Sequence, residues 1–299
     1  MIILLSSCSS LKYEDELVDA YYNLGNAYSA LGKLDQSAAA FVRALQIDPA
    51  FPSAAYNLGI VHIQSGNIKN GIAVLNNLLD KEPENILVMK ILAWGYFKNN
   101  NLTMSIKIYK QILHIDPVNK DALNNLTILM LSNQMYEEAY PYLVQQDEIG
   151  IDESLVFYNL GIAERELKIS SGLKWFEMAY EKEQNFEKNI VALIDALTLE
   201  ENYERVVDMY DILIGINQDP ELYFDKAFIL LTAIEDYELG IPALENALKN
   251  GYADFKKIDE LKLYEDLLDR EKILSVFIDY PPKEPGLVEE DPGLVSEDS

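Results

Sequence analysis

The chain has 299 residues, 49% of them apolar and 25% charged, so it can bury the core of one or two domains and its bulk is not membrane-embedded. Acids outnumber bases 50 to 24, a formal net charge of −26, and a surface of that sign repels the phosphates that nucleic-acid binders neutralise with Lys and Arg. A single cysteine excludes an internal disulfide framework and a cysteine-rich metal site.

That cysteine lies in the first element, Met1-Ile2-Ile3-Leu4-Leu5-Ser6-Ser7-Cys8. Leu5-Ser6-Ser7-Cys8 resembles the lipobox of bacterial lipoproteins, in which a leucine and two small residues precede the cysteine that is acylated. The resemblance implies a lipid on Cys8, residues 1–7 as a truncated signal peptide and residues 8–17 as a polar tether. The apolar run Met1–Leu5 is shorter than the roughly 7–15-residue apolar stretch of a signal peptide, and no positive residue precedes it. Two explanations stay open: a true start further upstream, or a chance cysteine in a cytosolic protein. After residue 8 no apolar run approaches the roughly 18–20 residues that span a bilayer.

From residue 18 the chain repeats itself. Tyr22-Asn23-Leu24-Gly25 recurs as Tyr56-Asn57-Leu58-Gly59 and as Tyr158-Asn159-Leu160-Gly161, and Leu24, Leu58, Leu92, Leu126 and Leu160 are spaced by 34 residues. Tyr21, Leu24, Tyr28 and Leu31 step by three and four, one face of a helix. Gly32-Lys33 breaks the chain, and Leu34, Ser37, Phe41, Ala44 and Leu45 form the stripe of a second helix. That helix stops at Asp48-Pro49, because proline has no N–H and disfavours helix in the residue before it. Each second helix carries a small residue (Ser37, Gly71, Ser105, Ala139, Gly172, Gly240, with Val206 the exception) and a large one four places on (Phe41, Leu75, Tyr109, Leu143, Phe176, Tyr210, Leu244). Small then large at that spacing suits close helix packing.

This pattern resembles the tetratricopeptide repeat family. The resemblance implies an all-α, right-handed solenoid of about seven helix-turn-helix repeats, residues 18–51, 52–85, 86–119, 120–153, 154–186, 187–220 and 221–254, with C-terminal capping helices over 255–280. The remaining residues, 281–299, are rich in Pro, Gly and acids and read as a disordered tail, in which Pro-Gly-Leu-Val occurs at 285–288 and 292–295.

No catalytic constellation is present. His62 and His114 lie on different repeats without metal-spaced companions, and no phosphate loop, nucleophile elbow or zinc motif occurs. The expectation is a non-enzymatic scaffold without cofactor, metal, nucleic acid or small-molecule substrate. In the family, the first helices line the inner, concave face. That likeness implies a partner-binding groove at Tyr22, Asn26, Tyr56, Asn57, Ile60, Trp94, Phe97, Ile128, Tyr158 and Ile162, with Ile63 and Leu131 beside them. The basic residues with which chaperone-type members clamp a carboxylate are absent, since Tyr22 stands in the lysine's place. The combined expectation is a lipid-anchored scaffold of the bacterial cell envelope that holds a protein or peptide in its groove. The alternative is a cytosolic adaptor or co-chaperone-like protein without an anchor.

Overall fold

The computed structural model of the protein describes residues 2–264 and 269–282, with the backbone alone for residues 2–13. Among the described residues there are sixteen α-helices and no strand, divided between two compact units, Met1–Ile151 and Asp152–Ser299. Unit 1 contains α1 (Ile2–Ala30), α2 (Leu34–Ile47), α3 (Pro52–Gln64), α4 (Ile68–Lys81), α5 (Ile86–Lys98), α6 (Leu102–Ile115), α7 (Lys120–Leu131) and α8 (Tyr136–Glu148). Unit 2 contains α9 (Ser154–Glu166), α10 (Leu173–Lys182), α11 (Glu187–Leu199), α12 (Tyr203–Ile216), α13 (Pro220–Ile229), α14 (Tyr237–Lys249), α15 (Phe255–Leu263) and α16 (Arg270–Asp279). Each odd-numbered helix packs on the next as a hairpin, and within each unit each hairpin packs on its successor.

The small-then-large pattern of the second helices is what closes the hairpins. A Cβ placed on Gly25 would lie 2.6 Å from the Phe41 ring, and one on Gly59 would lie 2.5 Å from Leu75. The large residue therefore fills the space that the glycine leaves. The small residue meets the backbone of the first helix directly: Ser37 Oγ donates to the Gly25 carbonyl at 2.8 Å, and Gly71 faces the Gly59 carbonyl. Phe41, Leu75, Leu143, Phe176 and Leu244 are all fully buried. Helices α2, α4 and α6 end at Asp48, Glu82 and Asp116, each followed by proline. The next helix is then started by an asparagine in two cases, Asn85 accepting from the Val88 amide and Asn119 from the Ala122 amide.

One conformation recurs at the turn inside each of the seven hairpins from α1–α2 to α13–α14. Gly32, Gly66, Asn100, Gln134, Lys168, Glu201 and Glu235 all have positive φ, between 56° and 85°. This left-handed residue lets the following amide bond back to the last turn of the first helix, as Asn101 does to Tyr96 and Asn202 does to Leu197. The first two repeats fill the position with glycine, and the other five hold a side chain there at a cost of about 1 kcal/mol. Lys168→Gly and Glu201→Gly should each raise stability by about 0.5–1 kcal/mol, after the extra freedom gained by the unfolded chain is subtracted. Thermal and urea denaturation of the single and double variants will measure this.

Three local features depart from the simplest repeat. Pro141 lies in the second turn of α8, as does Pro242 in α14; both are exposed, so the carbonyls they leave unbonded can be hydrated. Helix α13 closes with a π turn, Leu230–Ile234, before the left-handed Glu235. The backbone over 8–17 belongs to α1 and is helical, as its Leu, Lys and Glu residues favour; the side chain of Cys8 lies outside the described residues. So do residues 283–299, with both Pro-Gly-Leu-Val copies of the expected tail.

At the end of unit 2, α15 and α16 place Ile258, Leu261, Ile273 and Val276 in one core with Leu244 and Leu248 of α14. Lys257 ties α15 to α13 through Glu221 and Asp225, each at 2.9 Å.

Candidate functional site

The first helices of unit 1 carry the residues expected to bind a partner, and the structure sorts them into three groups. The first group is spent on holding neighbouring repeats together. Tyr22 packs its ring on Phe41 and Phe51, at centroid distances of 5.9 and 5.1 Å. Asn57 donates to Asn26 Oδ1 at 2.8 Å and lies 3.4 Å from the Tyr22 hydroxyl. Unit 2 builds the same aromatic group a second time: Tyr158 contacts Phe176 and Phe186 at 6.2 and 5.1 Å, and Ile162 packs into the adjoining core. Burial raises the Tyr158 phenol above its ordinary pKa, an effect Arg165 partly opposes.

The second group lines a cleft of about 310 Å³ at the junction of α1, α3 and α5. Tyr22, Tyr56 and Asn57 form one side, and Asn85, Leu87 and Val88 the other. Leu87 is 59% exposed, an aliphatic side chain at the mouth that neighbouring helices leave open. Ile60, half-buried on α3, lines neither this cleft nor the next.

The third group is the most concentrated. Trp94 and Phe97 of α5 face Ile128 of α7 across a cleft of about 170 Å³. Phe97 is 46% and Ile128 43% exposed. Lys90 and Asp121, paired at 2.7 Å, bridge α5 and α7. The floor comes from α6, a second helix: Ser105 and Tyr109 reach the cleft from below. Burial pushes the Tyr109 phenol up to about 12, so it is a neutral hydroxyl at pH 7. Ser105 is fully buried and its hydroxyl has no partner. These two residues are visible in the sequence only as the small and large packing positions of their repeat. The signal that marks them is a hydroxyl on Tyr109 where Phe41 and Leu75 have none.

Unit 2 ties its first helices with charges instead of amides. Arg165 of α9 approaches Asp195 of α11 at 3.4 Å, matching the Lys90–Asp121 tie of unit 1.

A wider cavity of about 930 Å³ opens among α4, α5 and α6, lined by Leu79, Glu84, Met89, Lys110 and His114. It holds none of the expected partner-binding residues. His62 sits half-buried on α3 with Nδ1 unpartnered, and burial lowers its pKa. Among the described residues no three His, Cys, Asp or Glu side chains are grouped to hold a metal, and no helix is long and apolar enough to cross a membrane.

Comparison with known proteins agrees with this architecture. The family model described as "Tetratricopeptide repeat" matches residues 18–51. The type IV pilus assembly protein PilF of Pseudomonas aeruginosa is 27% identical over 204 residues, covering 67% of this chain and 68% of PilF. An uncharacterized lipoprotein of Treponema pallidum is 24% identical over 139 residues, covering 46% of this chain and 70% of that protein. Other curated relatives are much longer, and the chain spans only 16–36% of their length. Among solved structures, a tetratricopeptide repeat protein of Parabacteroides merdae superposes with a TM-score of 0.55 at 16% identity, over 88% of this chain and 99% of that one. With a period of 34 residues, helical hairpins along the described residues and a family model matching residues 18–51, the chain has the repeat fold of tetratricopeptide repeat proteins.

Proposed function

We propose that the protein is a lipid-anchored scaffold of a bacterial envelope assembly, holding a protein or peptide partner on the first helices of unit 1. The observation that carries the binding face is the cleft between α5 and α7, where Trp94, Phe97 and Ile128 present apolar surface to solvent. Partly exposed aromatics beside a cleft are the usual anchors of protein interfaces. The envelope reading draws on Leu5-Ser6-Ser7-Cys8, on a relative whose name is a pilus assembly protein and on another named as a lipoprotein.

Two experiments test the two halves separately. Metabolic labelling with a clickable fatty acid, on the gene with its upstream region, should mark the protein and lose the label in Cys8→Ser. Unlabelled, soluble protein would replace this location with that of a cytosolic adaptor. A photo-crosslinking residue at Phe97 should trap a partner in cells, while one at exposed Lys107, on the α6 side of the hairpin, should not. Trp94→Ala with Tyr56→Ala should abolish the Phe97 adduct without loss of helicity. An adduct of equal yield from Lys107 would move the binding face off the first helices.

A further inference from the structure

We infer that Asn250 is a site of spontaneous covalent modification, at which the amide nitrogen of Gly251 attacks the Asn250 side chain and water converts the product to an aspartyl or isoaspartyl residue. The inference is independent of the partner-binding face. In the first step a bond forms between the Gly251 nitrogen and Asn250 Cγ, the bond from Cγ to Nδ2 breaks, and Nδ2 leaves as ammonia with the Gly251 amide proton. Water then opens the five-membered ring. Attack at Cγ gives aspartate, and attack at the main-chain carbonyl gives isoaspartate, in which the chain runs through Cβ and Cγ. Glycine favours ring closure because no side chain crowds its nitrogen and its backbone rotates freely.

The chain contains Lys-Asn-Gly twice, at 69–71 and 249–251, and the fold treats the two copies differently. Asn70 and Gly71 lie inside the first turns of α4, and both amides donate to the Asn67 carbonyl. Gly71 is buried, and a Cβ placed on it would lie 2.7 Å from the Gly59 carbonyl oxygen. A ring closing there would have to part α3 from α4. Asn250 and Gly251 follow the last residue of α14, and both are exposed. Gly251 has φ of +92° and nothing within 4 Å of a Cβ placed on it. The peptide between them can therefore turn over while Tyr252 stays seated. Two exposed hydrogen bonds open in that motion, Gly251 N–H to the Leu248 carbonyl at 3.0 Å and Asn250 Nδ2 to the Asn246 carbonyl at 2.8 Å. The consequence falls on the neighbouring core. Leu248 and Tyr252 flank the site and are buried with Ile258 and Leu261 of α15, and the Tyr252 ring stacks on Phe224 at 4.2 Å. Isoaspartate lengthens the main chain between these two anchors, and either product puts a negative charge at the C-terminal end of α14, where the helix dipole opposes it. The join between the last repeat and its cap is loosened.

The test ages the purified full-length chain in warm neutral buffer and digests it with pepsin at acid pH, which arrests the reaction. Mass spectrometry then reads the conversion of amide to acid at each tripeptide, and an isoaspartyl methyltransferase marks the isoaspartyl form. In the folded chain Asn250 should convert at least about tenfold faster than Asn70, because its opening breaks two exposed bonds and leaves a helix pair intact. In strong urea the two should convert at rates within about threefold, since the fold that separates them is gone. Equal rates in the folded chain, faster conversion at Asn70, or no conversion at Asn250 overturns the site. Asn250→Ser should stay unmodified at this turn and keep its urea midpoint through the same incubation, while the midpoint of the unaltered chain falls. A midpoint that holds in the unaltered chain after Asn250 has converted overturns the loosening of the cap.

Discussion

Gly172→Val should lower the stability of unit 2 by about 3 kcal/mol or more. Two penalties coincide there. Gly172 is the residue before α10 and has φ of +79°, a region that a β-branched side chain enters only under strain. A Cβ at Gly172 would also lie 2.6 Å from the carbonyl oxygen of Gly161 and 3.1 Å from its carbonyl carbon. Those atoms belong to the middle of α9 and cannot rotate aside as a side-chain tip could. Gly251 separates the penalties: its φ is +92° and nothing lies within 4 Å of a Cβ placed on it. Gly251→Ala should therefore cost only the conformational part, about 1 kcal/mol, and Gly172→Ala more than that. Equal losses for the two alanine variants in urea denaturation would show that α9 and α10 can move apart without penalty.

Phe41→Ala should cost unit 1 about 4 kcal/mol, near the upper part of the range for deleting a buried phenylalanine. Its ring is fully buried, and it fills a space that faces Gly25, which has no side chain to relax into the void. Tyr22 leans on the same ring, so the loss also loosens the contact between the first and second repeats. Phe41→Leu is the control. The next repeat holds Leu75 against Gly59 at the same place, so the leucine variant should lose no more than about 1.5 kcal/mol. Guanidinium unfolding followed by circular dichroism will distinguish the two. A Phe41→Ala loss as small as that of Phe41→Leu would mean the hairpin collapses around the cavity.

The hairpins themselves were legible because their causes are local. The Asp-Pro stops, the stripe of Leu34, Phe41 and Leu45, and the small residue at Ser37 or Gly71 each act within one repeat, and a fixed period displays them together. The left-handed turns were half legible. Gly32 and Gly66 announce the conformation, whereas Gln134, Lys168 and Glu201 adopt it because the packing of two helices forces the turn on residues that do not prefer it. The binding face was harder. Spacing places Tyr22, Asn57, Trp94 and Phe97 on first helices, but it does not say which of them spend their surface on a neighbour. Tyr22 and Tyr158 turn out to share one aromatic arrangement, each with a ring of the second helix and a ring at the end of its own repeat. Trp94 and Phe97 instead border an open cleft. The floor of that cleft lay outside the search altogether, because Ser105 and Tyr109 sit on the helix that periodicity assigns to packing.

The ties between first helices have a mechanical consequence. In unit 1 the first junction is fastened by the Asn57–Asn26 amide bond, which dissolved ions hardly affect. The junction between α5 and α7 is fastened by Lys90 and Asp121, and unit 2 relies on Arg165–Asp195 and on Lys257 with its two carboxylates. Exposed ion pairs weaken as the ionic strength rises, with screening over about 10 Å at 0.1 M. Under tension the charged junctions should yield at lower force in strong brine than in dilute buffer, while the amide junction holds its stiffness. The compliance of the charged junctions is then set partly by the medium the protein works in, and that of the amide junction is not.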